Sequence, residues 1–99
     1  MNENTKDMMN EIAATMHRIN ELESNLRKVL RCIRHSKETN SSLRKYSKEE
    51  GNKVEEAQWF GQWLSDYDNE LLILAILEGN TAAIDRRLDI YEGESNGQA

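Results

Sequence analysis

Apolar side chains recur at helical spacing from Met8 to Ile33, and no other feature constrains this 99-residue chain as tightly. With Ile12 set as heptad position a, that row holds Thr5, Ile12, Ile19, Leu26 and Ile33. Row d holds Met8, Thr15, Leu22, Val29 and Ser36, and row e holds Met9, Met16, Glu23, Leu30 and Lys37. Three adjoining, mostly apolar rows describe a bundle helix, broader than the seam of a two-stranded coil. The spacing predicts a helix over 5–35, capped by Asn4 or Thr5, with Asp7 in the favourable first turn. About 30 helical residues span about 45 Å, whereas a compact globule of this length has a radius of gyration of about 13 Å. Such a helix needs a second chain or a folded-back helix over its apolar face. The expected interface of a homodimer or higher oligomer is Ile12, Met16, Ile19, Leu22, Leu26, Val29, Leu30 and Ile33.

The chain has no proline, so its breaks fall to polar and glycine segments. Residues 36–52 read as a polar joint, because Thr39, Asn40, Ser41 and Ser42 compete for backbone hydrogen bonds and weaken helix. Ser47 with Glu50, and Asn52 with Glu55, form two capping boxes, and a start near Asn52 is favoured. A second helix follows from Lys53, with Val54, Ala57, Phe60, Leu64 and Tyr67 on one face and Trp59 and Trp63 as an adjoining ridge. Asp66 or Asp68 caps a new turn, or the helix runs on. Leu71 to Leu77 is apolar all round and reads as buried on most sides. Gly79 is a C-terminal stop, and Asn80 or Thr81 caps a last helix over 82–91 with Ile84, Leu88 and Tyr91 inward. The Gly/Ser/Asn-rich segment 92–99 reads as a disordered tail. The expected fold is all-α: one domain over 1–91, with a long amphipathic helix and then a compact helical hairpin region over 53–91, three to four helices in all.

Charge is blocked along the chain. Residues 1–26 carry two bases and five acids, giving −3; residues 27–48 carry eight bases and one acid, giving +7; residues 49–99 carry three bases and twelve acids, giving −9. Arg27, Lys28, Arg31 and Arg34 lie opposite the apolar stripe and are the candidate phosphate contacts. The plainer account is that these bases face the acids of a neighbouring helix. A third account makes 49–99 an acidic mimic of nucleic acid.

No catalytic constellation can be assembled, and no enzyme activity, cofactor or metal is expected. Cys32 and His35 share a helical face but lack two further ligands. The run from Asp66 to Glu70 starts like a calcium loop, yet Leu71 and Leu77 stand where the glycine and the bidentate glutamate belong. Leu74 to Ile90 has helix–turn–helix spacing, but acids surround Arg86 and Arg87, and a plain helical hairpin accounts for it. The first nine residues lack an apolar core for a secretory signal. The longest apolar run, Leu71 to Leu77, is seven residues, against about 20 for a bilayer span. With one cysteine, the expected location is cytoplasmic.

Trp59, Phe60, Trp63 and Tyr67 concentrate four of the six aromatics in nine residues. They read as core or as an aromatic hot spot for a protein partner. The expected function is therefore a non-enzymatic interaction protein, an adaptor, inhibitor or chaperone. Short, proline-free, acidic and helical, the chain has the general look of a phage or mobile-element accessory protein.

Overall fold

The computed structural model describes residues 3–97, and among them it contains three helices and no strand: α1 Glu3–Glu49, α2 Lys53–Glu78 and α3 Thr81–Gly97. The all-α class and the order of one long and two shorter helices are as the periodicity predicts. The shape is not the compact one expected. The chain measures 73 × 37 × 17 Å, and its radius of gyration is 20.7 Å, against about 13 Å for a compact globule of this length.

The largest difference concerns the expected joint at 36–52. Helix α1 runs straight through it to Glu49, and only residues 50–52 break the chain. Of the four residues expected to compete with the helix, Asn40 is engaged across the hairpin, as are Ser36 and Ser47 in the same stretch. The Ser36 hydroxyl and the Asn40 amide both donate to Asp66 Oδ2 on α2, at 2.7 and 2.8 Å, and the Ser47 hydroxyl donates to Glu55 Oε2 at 3.4 Å. A polar side chain satisfied by a neighbouring helix no longer competes for its own backbone. Asn40 and Ser47 are accordingly buried.

Both breaks use the same closure. Gly51 and Gly79 have φ of 74° and 70°. Gly79 N–H donates to Ile76 O and Asn80 N–H to Ala75 O, and Gly51 N–H donates to Lys48 O and Asn52 N–H to Ser47 O. Each pair is a Schellman closure with glycine in the left-handed position. Asn52 then caps α2 by accepting from Glu55 N–H at 3.1 Å, and Asn80 caps α3 by accepting from Ala83 N–H at 3.2 Å. A Cβ at Gly79 would meet no neighbouring atom, so Gly79→Ala isolates the backbone strain. We expect it to lower the urea-unfolding free energy by about 1 kcal/mol.

Helix α2 lies antiparallel on α1. The pairing runs from Ser47–Glu55 beside the turn, through Asp66 and Glu70, to Ile76 and Leu77 beside Ile19, Leu22 and Leu26. No break occurs at Asp66 or Asp68. Helix α3 packs on α2 alone and folds back along it: Tyr91 hydroxyl donates to Asp68 Oδ2 at 2.9 Å, and Arg87 pairs with the same carboxylate. The segment with helix–turn–helix spacing is thus a plain antiparallel hairpin.

Helix α3 passes its expected end at Tyr91 and reaches Gly97. Residues 92–97 of the expected disordered tail are therefore helical, because extending a helix already anchored at Tyr91 costs little. Positions 98–99 of that tail lie outside the described residues. Ile84 is half-buried, whereas Leu88 and Tyr91, expected inward, remain exposed. The Leu71–Leu77 run is covered by α1 on one side and α3 on another, which leaves Leu71 and Ile76 open and only Ala75 buried.

Candidate functional site

The expected interface residues fall into two groups. Leu26, Leu30 and Ile33 are covered by the chain's own α2: Leu30 is buried, and the other two are half-buried. They belong to the hairpin core, a correction to their expected place in a subunit interface. Ile12, Met16, Ile19, Leu22 and Val29 are exposed. Every described side chain from residue 3 to 25 is exposed, because α2 ends beside Ile19 and Leu22 and leaves the rest of α1 uncovered.

The aromatic cluster on α2 is organised by helical spacing. Phe60, Trp63 and Tyr67 follow one another at steps of three and four and stack in sequence. Phe60 and Trp63 lie 6.3 Å apart between centroids with planes inclined by 12°, and Trp63 and Tyr67 lie 5.5 Å apart at 3°. Trp59 and Trp63 are half-buried, and Phe60 and Tyr67 are 37% and 42% exposed. Core and surface readings of this cluster therefore divide it: the tryptophans are half-buried, while Phe60 and Tyr67 are more exposed along the edge that meets α1.

Helix α1 brings cations onto this ladder. Lys37 Nζ sits 5.8 Å from the Trp63 ring centroid and 5.5 Å from that of Tyr67, and the Arg44 guanidinium lies 4.2 Å from that of Phe60. Each contact is attractive because the ring face is electron-rich. Composition and periodicity alone assign Lys37 and Arg44 no role beside the aromatics. The signal for one lies in their spacing: Lys37 occupies row e of the heptad, and Arg44 follows it by seven residues, so both join the seam once α1 is allowed to continue. Ser41, Arg44, Phe60 and Trp63 line a shallow groove at this point.

Beside the ladder, Glu70 is 8% exposed and fully engaged. Lys37 Nζ donates to both of its oxygens, at 3.1 and 3.2 Å, and Arg34 Nε donates to Oε2 at 3.3 Å. The Lys37 hydrogen bond holds the Glu70 carboxyl below the usual carboxylate range; burial opposes it, and the charges of Lys37 and Arg34 reinforce it.

The candidate phosphate contacts do not form one free cluster. Arg27 is paired with Glu23 one turn back on α1 at 3.0 Å, and Arg34 is paired with Glu70. Lys28 and Arg31 are exposed and make no ion pair among the described residues. Three acids of the 49–99 block, Asp66, Asp68 and Glu70, are likewise taken up by internal partners. Cys32 is a free, exposed thiol. Among the described residues no group of three His, Cys, Asp or Glu side chains is placed to hold a metal, and no helix is long and apolar enough to cross a membrane. No protein-family model, no curated protein and no solved structure matches the chain.

Proposed function

We propose that this chain is a non-enzymatic interaction protein, an adaptor, inhibitor or chaperone of cytoplasmic and accessory type, that holds a protein partner against the aromatic face of the α1–α2 hairpin. One observation carries the reading: a stacked ladder of three aromatics in which Phe60 and Tyr67 are partly exposed, edged by the cations of Lys37 and Arg44. Large rings held in place by their neighbours lose little freedom on binding, and aromatics and arginines dominate the energetics of protein interfaces. The Arg44 cation favours a partner segment that carries an acid beside apolar side chains.

The ladder also offers a test that spares the fold. Phe60 and Tyr67 are partly exposed, so Phe60→Ala with Tyr67→Ala should leave far-ultraviolet dichroism and the melting curve nearly unchanged. Affinity for the protein captured by the wild-type chain from its source cell should fall by about 30-fold or more, as expected for a loss of about 2 kcal/mol at a hot spot. Equal capture by both chains would remove the aromatic face from consideration.

Nucleic-acid binding through Arg27, Lys28, Arg31 and Arg34 is the alternative, and the engagement of Arg27 and Arg34 by Glu23 and Glu70 weighs against it. Salt-sensitive binding of a generic duplex, lost on charge reversal at Lys28 and Arg31, is the result that would favour it.

A further inference from the structure

Helix α2 is the middle member of the three. α1 packs on the side that carries Asp66 and Glu70, α3 packs on the side that carries Asp68, and α1 and α3 do not meet. Two further sides of α2 are left open, and they differ. Phe60, Leu64, Tyr67, Leu71 and Leu74 follow one another at steps of four and three, so they form one row. Gln58, Gln62, Ser65 and Asn69 follow the same steps about half a turn away, on the opposite side. The polar row suits water. The apolar row is 37–45% exposed from Phe60 to Leu71, and Leu74 is half-buried. Open apolar side chains gathered in one patch mark an interaction surface.

Cations border this row on both edges. Toward α1, the Arg44 guanidinium lies over Phe60, and with Ser41, Lys45 and Lys48 it lines a groove that continues the one beside Phe60 and Trp63. Toward α3, Arg86 lines a groove of about 390 Å³ together with Leu71, Leu74, Ala83 and Ile90. Arg44, Lys45, Lys48 and Arg86 make no ion pair among the described residues. Acids stand at the ends of the row instead: Glu56 comes one turn before Phe60, and Glu78 comes one turn after Leu74 and lines the same groove.

An apolar row with free cations along its edges and acids at its ends selects an occupant of complementary pattern. A polyanion without apolar side chains would leave the row in water. A helix seats along such a row by packing its own ridge of apolar side chains beside it.

We infer that the aromatic face is one end of a longer docking row, Phe60 to Leu74, whose occupant is an acidic amphipathic helix of a partner protein. Its apolar stripe lies on α2, and its acids flank that stripe, toward Arg44, Lys45 and Lys48 on one edge and Arg86 on the other. The inference rests on the aromatic face being the partner site, and it adds Leu64, Leu71 and Arg86 to that site.

Two synthetic peptides of about 18 residues, long enough to span the row as helices, test it on the full chain. Both carry leucine at steps of three and four. Glutamate borders the leucine stripe on both sides in one peptide, and lysine does so in the other. In a titration followed by tryptophan fluorescence, the glutamate peptide should bind about 10-fold more tightly or better, with the gap narrowing as salt is raised. Lys48→Glu with Arg86→Glu changes two exposed side chains and should remove that preference while helicity and melting hold. Equal affinity for the two peptides, no binding of either, or a preference that survives the double charge reversal overturns the inference.

Leu64→Gln and Leu71→Gln should each weaken the glutamate peptide by about 10-fold, whereas Gln62→Ala with Asn69→Ala, on the opposite side, should leave its affinity unchanged. If Phe60→Ala with Tyr67→Ala loses the peptide while Leu71→Gln and Arg86→Glu bind it as the wild type does, the aromatic face stands and its extension toward α3 falls. Sedimentation equilibrium that gives twice the 11.5 kDa chain mass, with Leu64→Gln returning it to a single chain, would mean that a second copy covers the row, and overturns the acidic partner.

Discussion

Leu30→Ala is expected to lower the unfolding free energy by about 3 kcal/mol, within the range of large-to-small changes at buried positions. Leu30 is 5% exposed, and Ala75 is the other buried apolar side chain among the described residues. A core this small cannot share the loss. Truncating Leu30 opens a gap in the covered part of α1, one turn before Arg34, which is committed to Glu70. Small domains hold only about 5–15 kcal/mol in total, so the variant should melt many degrees lower. Urea titration followed by Trp59 and Trp63 fluorescence reads the effect at the hairpin itself. Val29→Ala is the control: Val29, next along the same helix, is 46% exposed, and its truncation should shift the midpoint only slightly. Equal losses at the two positions would mean that α2 does not seat on Leu30.

Glu70→Ala is expected to cost about 2 kcal/mol at neutral pH. Removing one member of a buried ion pair leaves the other charge without compensation, which costs ~3–5 kcal/mol when both are deeply buried. Here the Arg34 side chain is half exposed and returns to water readily, and Lys37 is 23% exposed and keeps its contacts with Trp63 and Tyr67, so the lower figure applies. The pH dependence has a definite sign. The folded-state pKa of Glu70 is lowered, first by the Lys37 hydrogen bond. Its contribution is therefore present above the ordinary carboxylate range and is lost as pH falls through that range to the folded-state value. Wild type and Glu70→Ala should accordingly converge in stability on acidification and differ most at neutral pH. A gap that widens toward acid would show that Glu70 stabilises the hairpin through something other than its charge.

Much of this architecture is legible in the residues because it rests on local rules. Periodicity identifies α1 from Met8 to Ile33, Gly79 marks the end of α2, and Asn52 with Glu55 marks its start. The joint expected at 36–52 is absent for a physical reason. Ser36, Asn40 and Ser47 are helix-weakening as isolated residues, and only the position of Asp66 and Glu55 on the facing helix reverses their effect. That information is a pairing across as many as 30 residues, and no window along the chain contains it. The apolar stripe is plain in the residues, but it does not say where α2 stops. Leu26, Leu30 and Ile33 therefore look equivalent to Ile12, Met16 and Ile19, although one set is covered and the other open. The aromatic cluster is visible as composition, while the cations beside it emerge only with the continuity of α1.

The contacts of Asp66 also govern how the hairpin assembles. Its carboxylate takes hydrogen bonds from Ser36 and Asn40, which stand one turn apart on α1. Sliding α2 by a single turn would part Asp66 from at least one of these two donors. Apolar surfaces alone are permissive about such slips, whereas a buried polar contact penalises them heavily. With only three residues between the helices, the chain has little slack to accommodate a shifted pairing. Asp66 and Asn40 thus act as an alignment key: they add little to how strongly α1 and α2 adhere, and they leave one vertical setting in which the aromatic ladder meets Lys37 and Arg44.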